Sequence, residues 1–185
     1  MANGATDQER ARFRQVVLPH LADCYALARW LAGDRADAED IVQDACLRAL
    51  RAINGFAGNN PRAWTLTIVR NTAYSWLRKN RSATLVMVDD LEAVERASAD
   101  GGTSPGNGGA TDPEAALIAK AEAARLERAI AELPIPFRET LVLRDVQGLG
   151  YRDIADVTGV PIGTVMSRLA RARSRLIATL GTDAS

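Results

Sequence analysis

The stretch YRDIADVTGVPIGTVMSRLARARSRL, from Tyr151 to Leu176, decides the fold. It reads as a short helix, a turn at Gly159 and Val160, and a longer helix opening at Pro161, where a proline costs no intrahelical hydrogen bond. Ile154, Ala155 and Val160 are placed to pack on Val165 and Leu169, and the apolar seam continues through Ala172 and Leu176. This is the pattern of a helix-turn-helix. With the seam turned inward, Thr164, Ser167, Ala170, Arg171 and Ser174 face outward, flanked by Arg168 and Arg175 on one side and by Met166 and Arg173 on the other. Small and polar residues permit close approach to a groove. Arginines bond in pairs to guanine or hold phosphates, and the helix N-terminus near Gly163 and Thr164 suits a phosphate as well. A helical hairpin with a solvated basic face is the plain alternative, and the turn and the charge together count against it.

Upstream, Glu114 to Leu133 reads as a helix, stopped by Pro134 and Pro136, and a second runs from Phe137 to about Val146 before Gly148 and Gly150. Before these lies SADGGTSPGNGGATD, Ser98 to Asp112, which has almost nothing apolar to contribute to a core and reads as a flexible linker. An acidic segment, Asp89, Asp90, Glu92 and Glu95, precedes it. The division expected is a first domain over 8–81, a linker over 82–112 and a second domain over 113–180.

The first domain reads as three helices, about Gln8 to Ala32, Arg35 to Ile53 and Pro61 to Asn80. In the second of these, Ile41, Ala45 and Leu47 to Leu50 form an apolar side, and Asp37, Asp40 and Asp44 lie opposite. Such a face is either solvated or a docking surface for a basic partner. In the third, Leu66, Val69, Ala73 and Leu77 face one core, and Trp64, Thr67, Asn71, Ser75 and Arg78 share the other side. An aromatic for stacking, an amide for a base edge and a cation for phosphate suit unpaired DNA, although Trp64 is equally placed to serve the core.

The whole chain agrees with an all-α fold of two small helical domains. It is 47% hydrophobic and only 5% aromatic, and no run of alternating β-branched residues stands out. Net charge is zero, which at first argues against nucleic acid, yet Arg62, Arg70, Arg78, Lys79 and Arg81 occur without an acid among them, as do Arg168, Arg171, Arg173 and Arg175. Neither a signal peptide nor a membrane span is legible, so a cytoplasmic protein with no membrane insertion is expected. Cys24 and Cys46 read as small buried side chains. His20 has no second pair of ligands near it, so no metal, no cofactor and no catalytic residues are expected, and no phosphate loop or Ser-His-Asp set points to an enzyme.

DAEDIVQDACLRAL from Asp37 and PRAWTLTIVRNTAYSWLRK from Pro61 resemble region two of the extracytoplasmic-function sigma factors, group 4 of the sigma-70 family. LPIPFRETLVLRDVQGLG from Leu133, with the helix-turn-helix that follows it, resembles their region four. The resemblance implies a non-enzymatic subunit that binds core RNA polymerase, through the largest-subunit clamp helices and the flap region, and directs it to promoters in a stress response. It implies that Asp37, Asp40, Gln43 and Asp44 meet the clamp helices, that Asn71 captures a base of the minus-ten element, and that Trp64, with Ser75 and Arg78 on its strip, lies at the melting surface. The positions of Met166, Ser167, Arg168 and Arg171 resemble those that enter the minus-thirty-five groove, with Arg144 and Tyr151 as backbone supports, and Thr164 on the outward face at the helix start is expected to join them. Met166 departs from the pattern, since many relatives have Lys or Arg there. An anti-sigma partner is also implied. The competing reading is an independent helix-turn-helix regulator bound to an operator, against which the acidic helix and the aromatic strip both count.

Overall fold

The computed structural model describes residues 6–80 and 113–182, all helix and connecting turn. The segment expected to be the linker, with its acidic run from Asp89 to Glu95, lies outside the described residues. Helix α1 spans Asp7–Val16 and opens on a reciprocal cap: Glu9 N–H donates to Thr6 Oγ1 at 3.2 Å and Thr6 N–H donates to Glu9 Oε2 at 2.7 Å. The single helix expected from Gln8 to Ala32 is in fact two. Pro19, which has no N–H to donate, sits in a 3-10 turn over Leu18–His20, and α2 restarts at Leu21 and runs to Ala32. Gly33 ends α2 at φ 83°, where a side chain would be strained.

Asp34 then caps α3, Arg35–Ala52, by accepting from the N–H groups of Ala36 at 2.8 Å and Asp37 at 3.3 Å. Asn60 does the same for α4, Pro61–Asn80, accepting from Ala63 N–H at 3.0 Å. Helices α2, α3 and α4 close on Leu27, Leu31, Ile41, Leu66 and Val69, all but completely buried. Each such side chain contributes about 1.5–3 kcal/mol relative to exposure, which is why the seams of the three helices face one another.

The second group begins with α5, Pro113–Ala131, tied to the end of the chain by Arg125 Nη2, which donates to the Leu180 carbonyl at 2.6 Å. Helix α6, Ile135–Leu141, runs into one wide π-helical stretch at Val142–Val146, a widening that the sequence pattern did not announce. Helices α7, Tyr151–Thr158, and α8, Ile162–Thr182, form the helix-turn-helix, with Gly159 at φ 69° between them. Ile154, Val165, Leu169 and Ala172 are buried there as the spacing requires.

The two groups touch. Their buried side chains form one continuous apolar cluster, α2 lying against α6 and α4 against α7. Polar ties run along the seam: Arg62 Nη2 donates to the Gln147 carbonyl at 2.8 Å, Gln147 Nε2 to the Asp23 carbonyl at 2.8 Å, and Asn60 Nδ2 to Asp153 Oδ1 at 2.8 Å. Arg138 Nη1 reaches the Trp30 carbonyl at 3.1 Å.

Candidate polymerase and nucleic-acid interfaces

On α3 the acidic face is real. Asp40, Gln43 and Asp44 are exposed and Asp37 is half-buried, one turn after the cap. Asp44 is partly neutralised by Arg48, Nη2 to Oδ2 at 2.9 Å, an exposed pair one helical turn apart that stabilises the helix only slightly. Leu47, expected on the apolar side, is 50% exposed. It stands one turn beyond Gln43 and Asp44, so the face is acidic with an apolar centre. Leu47 sits at the border of two helical arcs, and spacing alone does not say which arc wins.

Helix α4 presents the strip unevenly. Asn71 and Arg78 are exposed, whereas Thr67 and Ser75 are half-buried. Trp64 is half-buried too: its ring meets Phe56 at 5.0 Å between centroids and packs on the small cluster of Val17, Ala49 and Ile53. One face of Trp64 thus serves packing and the remainder is open. Four hydroxyls of α4 bond back to the carbonyl one turn earlier: Thr65 to Pro61 at 2.7 Å, Thr67 to Ala63, Thr72 to Ile68 and Ser75 to Asn71, each at 2.8 Å. The Asn71 side-chain oxygen accepts from Arg70 Nη1 at 3.3 Å.

Helix α8 exposes Met166, Ser167 and Arg171, with Thr164 half-buried at its first turn. Its arginines have different fates. Arg173 pairs with Asp145 at 2.7 Å, Arg175 lies 5.2 Å over the Phe137 ring, and Arg168 turns inward, half-buried. Arg171 is exposed and makes no ion pair or ring contact among the described residues, and it lines a hollow of about 360 Å³ with Phe137, Ala170, Ser174 and Arg175. Arg144 stacks 4.8 Å over Tyr151 and donates from Nη1 to the Leu149 carbonyl at 2.7 Å, which fixes both residues at the rim of the helix-turn-helix. Spacing could not reveal that Arg168 turns inward or that Arg173 is already paired, because the groups they meet come from other elements of the fold.

Among the described residues no cluster of His, Cys, Asp or Glu is arranged to hold a metal, and no helix is long and apolar enough to cross a membrane. Cys24 is buried, and burial pushes its thiol up to about 12.

Residues 16–83 match the family described as Sigma-70 region 2, and residues 123–176 match Sigma-70, region 4. The chain is 35% identical over 171 residues to the ECF RNA polymerase sigma factor EcfG of Rhodopseudomonas palustris, covering 92% of this chain and 86% of that protein. It belongs to the extracytoplasmic-function sigma factors. As a sigma factor it directs RNA polymerase in transcription initiation and is not an enzyme. Two solved sigma factors have similar structures. One is RpoE of Bartonella quintana in complex with the anti-sigma factor NepR, at a TM-score of 0.67 and 33% identity, over 92% of this chain and 98% of that one. The other is CnrH in complex with the cytosolic domain of CnrY, at a TM-score of 0.62 and 25% identity, over 97% of this chain and 93% of that one. Both likenesses span the two helix groups of this sigma factor.

Proposed function

We propose that this sigma factor docks on the clamp helices of the polymerase largest subunit through α3, captures a minus-ten base with Asn71, and enters the minus-thirty-five major groove with α8. The exposed face of α3 carries the reading: Asp40, Gln43 and Asp44 surround Leu47, a small apolar centre with an acidic rim, which fits a basic helical partner better than it fits solvent. An operator-binding regulator has no use for such a face. On α8, Met166, Ser167 and Arg171 would approach base edges, with Thr164 at the helix start and Arg144 and Tyr151 behind them. On α4, Trp64, Ser75 and Arg78 would flank the captured base. Residues 8–81 and 113–180 act as the two recognition domains in this scheme, and 82–112 as the tether, with the flap region as the second polymerase contact. An anti-sigma partner would hold the protein inactive, as the relatives solved with such partners make natural.

Charge reversal at Asp40 and Asp44 tests the docking face. The double variant should bind core polymerase more weakly than the parent, with the difference growing at low salt, where repulsion is less screened. Equal affinity in a folded double variant would remove α3 from the interface.

A further inference from the structure

Glu139 lies in the middle of α6 and is 0% exposed, the one fully buried carboxylate among the described residues. It is not held by its own helix group. Its Oε1 accepts from Arg70 Nε of α4 at 2.6 Å, and its Oε2 accepts from the Tyr74 hydroxyl at 3.1 Å. The Arg70 guanidinium stacks 4.4 Å over the Tyr74 ring, so the two α4 side chains act as one clasp. Burial pushes Glu139 and Tyr74 above their ordinary pKa values, and from α8 Arg168 lies near enough to oppose that in both; its Nε is buried with no hydrogen-bond partner among the described residues. One carboxylate therefore gathers side chains from both promoter-facing helices. Neither Arg70 nor Tyr74 is required by the first helix group, because α4 packs there through Leu66, Val69 and Ala73.

We propose that Glu139, gripped by Arg70 and Tyr74 of α4 beside Arg168 of α8, is a latch that closes the free chain and keeps α4 and α8 too near one another to read a promoter together. The inference rests on the assignment of α4 and α8 to the minus-ten and minus-thirty-five elements. At about 3.4 Å per base pair, elements centred ten and thirty-five base pairs from the start lie about 85 Å apart along the duplex. A compact chain of this length has a radius of gyration of about 16 Å. Closed, it does not span that interval. The contact is also all-or-none in character: with Arg70 removed, a carboxylate stays buried without its ion-pair partner, which is strongly disfavoured, whereas separation of the groups returns it to water. Arg70 donates to Asn71 as well, so closing the latch engages the acceptor of the base-capturing amide at the same time.

Small-angle scattering from the full chain, without DNA or polymerase, tests the latch independently of what α4 and α8 bind. The parent should lie within a few ångström of the compact value, and Arg70→Glu, which sets two carboxylates against each other, should raise the radius of gyration by about 5 Å or more. Tyr74→Phe, which removes one hydrogen bond and no charge, should shift it less. Adding Glu139→Gln to Arg70→Glu, which relieves the repulsion, should bring the radius back toward the parental value. Far-ultraviolet circular dichroism of Arg70→Glu should match the parent, since its site lies between the groups. A parent that is already extended, or an Arg70→Glu variant as compact as the parent, overturns the proposal. A chain that opens as expected but gives no promoter-specific transcripts with core polymerase supports the latch and counts instead against the assignment of α4 and α8.

Discussion

Replacing Arg171 by Ala tests the proposed reading of DNA by α8. Of the four arginines between Arg168 and Arg175, three are occupied: Arg168 is turned inward, Arg173 is paired with Asp145, and Arg175 is stacked on Phe137. Arg171 is exposed on the outward face, so the folded protein loses little when it is truncated, within about 0.5 kcal/mol for a surface substitution away from special contacts. Lost bidentate contact with a guanine costs about 1–3 kcal/mol in binding. At about 1.4 kcal/mol per decade, that is roughly a 5- to 140-fold weaker complex. The assay is binding of the polymerase holoenzyme, loaded with parent or variant, to a promoter and to single-base variants across the minus-thirty-five element. The expected result is a loss confined to the parental base at one position, so that the variant no longer prefers it. A uniform loss across all sequences, with a salt dependence shallower by about one counterion, would make Arg171 a phosphate ligand. Unchanged affinity and unchanged preference would refute the assignment of this face of α8 to the duplex.

Three further outcomes are expected. Asn71→Ala should impair strand opening more than initial docking, because Ala offers neither donor nor acceptor to an extruded base; permanganate footprinting of a duplex promoter, set against transcription from a pre-mismatched template, separates the two steps. Gly159→Ala should lower stability by roughly 1–2 kcal/mol from backbone strain alone, since φ is 69° and a Cβ there meets nothing within 4 Å; thermal melting checks it. The Asp34 carboxylate is held below its ordinary pKa by the N–H groups of Asp37 and Ala36, so its capping contribution is present above the unfolded pKa and is lost as pH falls through the lower folded value. Asp34→Asn, which caps without titrating, should flatten that part of the stability curve on the acid side of about pH 4.

Much of this molecule was legible wherever a feature is local to one helix. The helix-turn-helix seam of Ile154, Val165 and Leu169 and the exposed Asn71 follow from spacing, because helical geometry converts position directly into direction. Leu47 shows the limit of that conversion, lying where the apolar and acidic arcs meet. Glu139 shows a deeper one. Within FRETL it reads as an ordinary surface charge, and its burial is decided by Arg70, 69 positions away, which no periodicity connects to it. The same holds for Arg168 and Arg173, whose side chains a helical projection leaves free. Pro19 is a different case: its missing N–H was visible in the sequence, and the apolar pattern on either side simply ran through it.

The back-bonded hydroxyls of α4 bear on hydration. A threonine or serine whose proton already points at the carbonyl one turn back has spent its donor, and Thr67 and Ser75, the two of the four that are not buried, offer an approaching nucleotide a methyl or methylene surface and one remaining lone pair. Such a surface holds water weakly, so little is lost when a flat base displaces that water. Beside them the Asn71 amide keeps its N–H donors uncommitted among the described residues, and selectivity for one base over another along this part of α4 would then fall to one amide beside hydroxyls that are indifferent to which base arrives.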